Sequence, residues 1–144
     1  MGSPTFSYHD GIYDHRFAGA ITVLSADDFE PLTLVRGTEA NGHFGKSVAV
    51  APNLGRVIAG APNEGASHKG HLGPGKVYVF NMLEEGTLDA TTAEEMLSPP
   101  EISDRGQQFG AVVAISPNDQ IIVSAPKKRV GDKEQVGKVY LYNT

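Results

Sequence analysis

The chain has 144 residues, 40% of them hydrophobic, with 17 Gly, 9 Pro and a formal net charge of −5. That length fits one domain, the Gly and Pro content favours a turn-rich all-β chain over a helical one, and the acidic balance argues against a general nucleic-acid binder. The absence of Cys excludes disulfides, thiolate metal sites and a Cys nucleophile. No apolar run reaches the roughly 18 residues of a membrane span, and Met1-Gly2-Ser3-Pro4 is not a secretory signal.

Residues 1–24 read as the back half of a repeat unit whose full form follows. Gly19 to Leu24 keeps a small residue and then alternates as a strand. Met1 to Pro4 reads either as the end of a preceding strand or as a cloning remnant. Pro31-Leu32-Thr33-Leu34-Val35 predicts a short outer strand, where a Pro at the start is tolerated. Arg36 to His43 is polar and contains two Gly, so it reads as a loop. Ser47 to Ala51 and Arg56 to Gly60 predict two strands joined by the turn Pro52-Asn53-Leu54-Gly55, a hairpin by its chemistry. A long loop, Asn63 to Pro74, precedes a third strand, Val77 to Phe80. Asn81 to Glu95 is the longest non-strand stretch. Within it Thr92 to Met96 carries a Thr-x-x-Glu cap signal for one helical turn, and Glu94 to Leu97 takes the outer-strand position. Ser98-Pro99-Pro100 then breaks structure. The second full unit runs from Phe109 to Tyr142, with its own turn at Pro117-Asn118-Asp119-Gln120.

The units repeat. Phe44-Gly45 returns as Phe109-Gly110, Gly60-Ala61-Pro62 as Ser124-Ala125-Pro126, and Gly75-Lys76-Val77-Tyr78-Val79-Phe80 as Gly137-Lys138-Val139-Tyr140-Leu141-Tyr142. A period of about 64 residues built of short strands is the sign of a propeller or solenoid array. The first strand of each unit is poor in bulk, as crowding round a propeller axis requires. In the third strand Val77 and Val79 point to one face and Tyr78 and Phe80 to the other, so both faces need cover. Stacked blades cover both faces of a sheet. A two-layer sandwich is the rival arrangement. The fold expected is all-β, a partial β-propeller of antiparallel four-stranded blades: a single domain over 1–144, with a blade remnant at 1–35, a blade at 44–98 and an incomplete blade at 109–144. Two full units and a partial one do not close a ring. Open sheet edges at both ends therefore predict further blades from a longer chain or self-association.

Phe44-Gly45, Gly60-Ala61-Pro62 and Val77-Tyr78-Val79-Phe80 together resemble the FG-GAP repeat, found in the β-propeller of integrin α subunits and in many surface proteins. The likeness spans nearly the whole chain, with Ser124 standing for the first Gly of the second Gly-Ala-Pro element and Ser3 for Ala in the partial unit. The integrin-type repeat carries an Asp/Asn-rich calcium loop between its first two strands. Here those hairpins are Pro52–Gly55 and Pro117–Gln120, and one Asp in a four-residue turn does not supply the six to eight oxygens that calcium takes. Calcium binding is therefore not carried over, and no metal or cofactor is expected. The resemblance implies an extracellular or cell-surface place and a role in protein recognition or adhesion.

The predicted topology sends the loops after each Gly-Ala-Pro element to one end: Thr5–Ala18, Asn63–Pro74 and Lys127–Val136. Long loops held side by side on a rigid scaffold are the usual place for binding. Asn63, Glu64, His68, Lys69 and His71 in the second loop, and Lys127, Lys128, Arg129 and Lys133 in the third, are the candidate ligand-binding residues. His9, Asp10, Asp14 and His15 read as solvated loop residues rather than metal ligands, since zinc needs three or four convergent donors. No nucleophile elbow, zinc-protease motif or phosphate loop appears. The expectation is a non-catalytic module recognising a protein, or a glycan through its basic loop. The alternative is a set of structural blades in a larger protein or enzyme.

Overall fold

The computed structural model describes residues 1–65, 72–81, 85–101 and 106–143. The chain is all-β, with short strands in three main sheets and one ribbon. The strands are β1 (Gly2–Ser3), β2 (Tyr8–His9), β3 (Asp14–His15), β4 (Ala20–Leu24), β5 (Pro31–Arg36), β6 (Ser47–Ala51), β7 (Arg56–Ala61), β8 (Lys76–Phe80), β9 (Gly86–Asp89), β10 (Glu95–Leu97), β11 (Val113–Ile115), β12 (Gln120–Ala125) and β13 (Lys138–Asn143). The first sheet has the order β1-β4-β5-β9, the middle sheet β6-β7-β8-β10 and the last β11-β12-β13; β2 and β3 form the ribbon.

The alternation in β8 positions the rest. Ile58, Val77, Val79 and Leu97 of the middle sheet share one core cluster with Phe109, Val113, Ile121 and Val123 of the last sheet. Tyr78 and Phe80, on the opposite face, share a second cluster with Ile21 and Val35 of the first sheet and with Phe44. The middle sheet is therefore covered on both sides. Each buried Val or Phe contributes about 1.5–3 kcal/mol relative to exposure. Phe44 meets the rings of Tyr78 and Phe80 edge-on at 5.4 and 6.1 Å. Phe109 meets Tyr140 and Tyr142 in the same way at 5.5 and 6.1 Å. The unit is thus repeated in its packing as well as in its sequence.

Adjacent sheets touch backbone to backbone through glycine. A Cβ on Gly60 would stand 2.1 Å from the Gly110 carbonyl oxygen, and a Cβ on Gly2 would stand 2.1 Å from that of Gly45. No side chain fits either place. The receiving Gly45 and Gly110 turn with φ of 77° and 86°, a left-handed backbone that glycine adopts without steric cost. Ser47 Oγ donates to the Gly110 carbonyl at 2.8 Å across the same junction. Further out, one Arg56 guanidinium nitrogen donates to both carboxylate oxygens of Asp119, at 2.9 and 2.8 Å.

Two expectations need correction. The stretch Asn81–Glu95 is not free of strand: β9 leaves the middle unit and pairs in parallel with β5 of the first sheet, Thr33 to Gly86 through Arg36 to Asp89. The helical turn falls at Ala90–Thr92 as one 3-10 turn, capped by the Asp89 side chain on the Thr91 N–H, rather than at Thr92–Met96. Asx capping from Asp89 outcompetes the Thr-x-x-Glu signal, and Glu95–Leu97 is a strand paired with Val77–Val79.

Candidate functional site

The loops after the Gly-Ala-Pro elements and those leading into the Phe-Gly turns are tied together by backbone hydrogen bonds. Asn41 donates to Arg16, His43 to Phe17 and Phe44 to Ala18, joining the first loop to the second unit. Asn63 donates to Gly42, Gly106 to Gly73, Phe109 to Pro74 and Lys127 to Gln107, carrying the connection on to the last unit. The described parts of these loops are joined in one hydrogen-bonded series at the strand ends opposite the tight turns at Pro52–Leu54 and Pro117–Asp119.

In the first loop the Asp10 carboxylate accepts from the Ile12 and Tyr13 N–H groups at 2.9 and 2.8 Å. Its second oxygen meets His15 Nε2 at 2.9 Å, and His15 Nδ1 meets the Thr38 carbonyl at 3.0 Å. The Tyr13 N–H, the His15 ring and the Ile12 N–H hold Asp10 far below the ordinary carboxylate range. Tyr8 stacks on His15 with centroids 4.4 Å apart, and the Arg36 guanidinium lies 4.5 Å from the Tyr8 centroid. Both His15 nitrogens face acceptors within the protein. The ring fastens the ribbon to the Arg36–Thr38 segment. Among the described residues no group of three or more His, Asp and Glu side chains is placed to hold a metal ion.

The second loop hangs on a charged core. Glu64 is 0% exposed and accepts from the Tyr78 hydroxyl. Lys76 Nζ lies 3.7 Å from Glu64 Oε2 and 2.6 Å from Glu39 Oε1. Glu39 also accepts from the Gly65 N–H at 2.7 Å. Two carboxylates thus share one ammonium, and Glu64 Oε1 has no hydrogen-bond partner. Burial pushes Glu64 up to about 7 despite the Tyr78 and Lys76 bonds. Burial also raises Glu39, but its bonds from Lys76 and Gly65 outweigh that and hold it below its ordinary value.

The last loop repeats the device with the sign reversed. Lys128 occupies the place of Glu64 two residues beyond the Pro, and it is 1% exposed. Glu101 takes Lys128 on one oxygen at 3.1 Å and Lys138 on the other at 3.2 Å. Those two lysines hold Glu101 below its usual range. Lys138 is the counterpart of Lys76, so the recurring lysine after each Gly serves the same purpose twice: it anchors a Glu from the loop entering its own unit.

The nine candidate residues therefore divide. Lys127, Arg129 and Lys133 are exposed at the loop end, interleaved with exposed Asp132 and Glu134. Arg129 Nε donates to the Gly131 carbonyl at 3.0 Å. Asn63, Glu64 and Lys128 lie inside, where burial places them behind the surface a partner would meet. His68, Lys69 and His71 lie outside the described residues. Glu39 and Glu101, whose contacts set both long loops, escaped the sequence reading; their signal was the repeated Gly-Lys pair, which needs an acid nearby. At the opposite end a groove of about 470 Å³ lies between the first and middle sheets, lined mainly by Val23, Leu32, Thr33, Val50 and Val57. Arg56 on its rim is engaged by Asp119.

Compared with known proteins, the chain matches no family model and no curated protein.

Proposed function

We propose that the chain is a non-catalytic recognition module: successive blades of a β-propeller of the FG-GAP kind, presenting the loop end to a protein partner outside the cell. The observation that carries this reading is the hydrogen-bonded continuity of the loops from Arg16 to Lys127. A backbone fixed at so many points loses little further conformational entropy when a partner binds. The middle sheet supports the propeller reading, because a sheet covered on both faces by its sequence neighbours is what stacked blades require. Asp119 supports the calcium-free variety: its carboxylate is bound to Arg56.

A glycan partner is the second reading, favoured by the exposure of Lys127, Arg129 and Lys133 on one loop. Sulfated chains meet such cations through charge-assisted bonds that salt weakens. A heparin and glycan array probed with the wild-type chain and with Lys127, Arg129 and Lys133 neutralised separates the two. Binding lost in the variant favours the glycan. No glycan binding, or binding unchanged in the variant, removes it and leaves the protein partner, for which a panel of extracellular proteins is the corresponding test. As to membranes, no helix among the described residues is long and apolar enough to cross one.

A further inference from the structure

The ribbon β2–β3 is held by a histidine whose two contacts together require its charge. His15 Nε2 lies 2.9 Å from Asp10 Oδ2, and His15 Nδ1 lies 3.0 Å from the Thr38 carbonyl oxygen. A carbonyl oxygen only accepts, and so does an ionised carboxylate. Asp10 stays ionised, because the Tyr13 N–H, the His15 ring and the Ile12 N–H hold it far below the ordinary carboxylate range. To bond both partners the ring must donate twice, and only the imidazolium carries two N–H groups. The neutral ring keeps one. Whichever nitrogen holds it, the other turns a lone pair on an acceptor. The His15 side chain is 15% exposed, so little water reaches it to replace the lost bond. His9, on the paired strand, has the opposite requirement: its Nδ1 accepts the Gly11 N–H at 2.9 Å, which takes a bare nitrogen.

The charged groups around His15 are few. Asp10 favours the imidazolium at hydrogen-bond distance, where Coulomb attraction is strongest. Tyr8 of β2 stacks on the ring and donates its hydroxyl to the Gly37 carbonyl at 3.1 Å. Arg36 of β5 lies over Tyr8 and disfavours a second cation; Asp89 of β9 acts on Tyr8 with the opposite sign. Asp14 of β3 pairs with His9 at 3.8 Å, and His43 meets Phe17 edge-on. The first loop hangs on this cluster. The Asn41 N–H donates at 2.7 Å to the carbonyl of Arg16, the residue after His15, and the ribbon tip exposes Ile12 and Tyr13. We propose that His15 is a proton-operated latch: charged, it locks the β2–β3 ribbon onto the Arg36–Thr38 segment, and on losing its proton it releases the ribbon and its tip. Histidine ordinarily changes charge between pH 5 and 8, so the latch closes in mildly acidic surroundings and opens as pH rises. The latch stands whether or not the loop end is a binding surface; on that reading, acid fixes the first loop for a partner.

Amide hydrogen exchange on the whole chain, corrected for the intrinsic rate at each pH, tests it. Glu64 changes charge at about 7, so Glu64→Gln is the background for every sample. Asn41 protection should fall at least tenfold from pH 5 to pH 8, while the Ser124 N–H, bonded to the Val112 carbonyl in the last sheet, keeps its own. Adding His15→Gln should abolish the pH response, and adding His9→Gln should leave it. Asn41 protection that does not change with pH overturns the proposal, as does a response that survives His15→Gln or vanishes with His9→Gln. The nuclear Overhauser contact between the Tyr8 and His15 rings gives a reading that needs no substitution at His15. It should be strong at pH 5 and weakened at pH 8; a contact of equal strength at both overturns the proposal.

Discussion

Tyr78 donates its hydroxyl to Glu64, and Glu64 is wholly buried. This pair joins the third strand of the middle sheet to the long loop that follows Gly60-Ala61-Pro62, so the strand's packing and the loop's position are set together. Burial, and then the Glu64 charge, raise Tyr78 well above its ordinary value, so it remains a donor across the accessible pH range.

Glu64 gives the fold a pH dependence. Its carboxyl moves from 4.5 in the unfolded chain to about 7 in the folded one. A raised acid favours the fold while protonated: that contribution is fully present below pH 4.5 and is lost as pH rises through about 7. The loss is on the order of 3 kcal/mol. Glu64→Gln keeps the hydrogen-bonding shape without the charge. Urea unfolding at a series of pH values should show the variant more stable than wild type at pH 8, by up to about 3 kcal/mol, with the gap closing toward pH 5. A pH-independent difference would place the titration elsewhere.

Arg56 and Asp119 fasten the middle sheet to the last across their turns, both about three-quarters covered. Asp119→Asn should cost about 1 kcal/mol, and a double-mutant cycle with Arg56→Ala should recover most of that as coupling. Additive single effects would mean that the pair contributes nothing between sheets.

Gly60→Ala should be among the most damaging single changes in the chain. The added methyl meets a backbone carbonyl that cannot move without separating two sheets. The expected loss is about 3 kcal/mol or more. Gly131→Ala, with nothing near its Cβ and only its φ of 58° to oppose it, should cost about 1 kcal/mol. Thermal unfolding of the two variants checks the ratio.

Lys128→Met should lower stability, by roughly 1–2 kcal/mol because Glu101 is itself partly solvated, and should leave ligand binding intact. Neutralising exposed Arg129 and Lys133 should do the reverse. Chemical denaturation together with binding to the partner found on the protein panel or the glycan array measures both arms.

The strand pattern was legible in the sequence because alternation is local. Val77 and Val79 against Tyr78 and Phe80 gave the two covered faces before any partner sheet was known. What the sequence hid is long-range. A Lys-Lys-Arg run reads as solvated charge, and Glu101, 27 residues before Lys128, is a partner that holds the middle cation inside. Glu64 is hidden in the same way by Lys76 and Tyr78. Strand β9 escaped because Gly86-Thr87-Leu88-Asp89 has no strand periodicity of its own; β5 of another sheet imposes it.

The central claim, recognition through the loop end, is tested most directly by one binding screen. The wild-type chain is set against immobilised extracellular proteins and glycans, beside a variant altered at Arg129 and Lys133 in the loops and a second altered at Asn53 and Asn118 in the opposite turns. The account predicts a partner whose binding falls at least tenfold in the loop variant and holds in the turn variant. A partner lost only with the turn variant would contradict it.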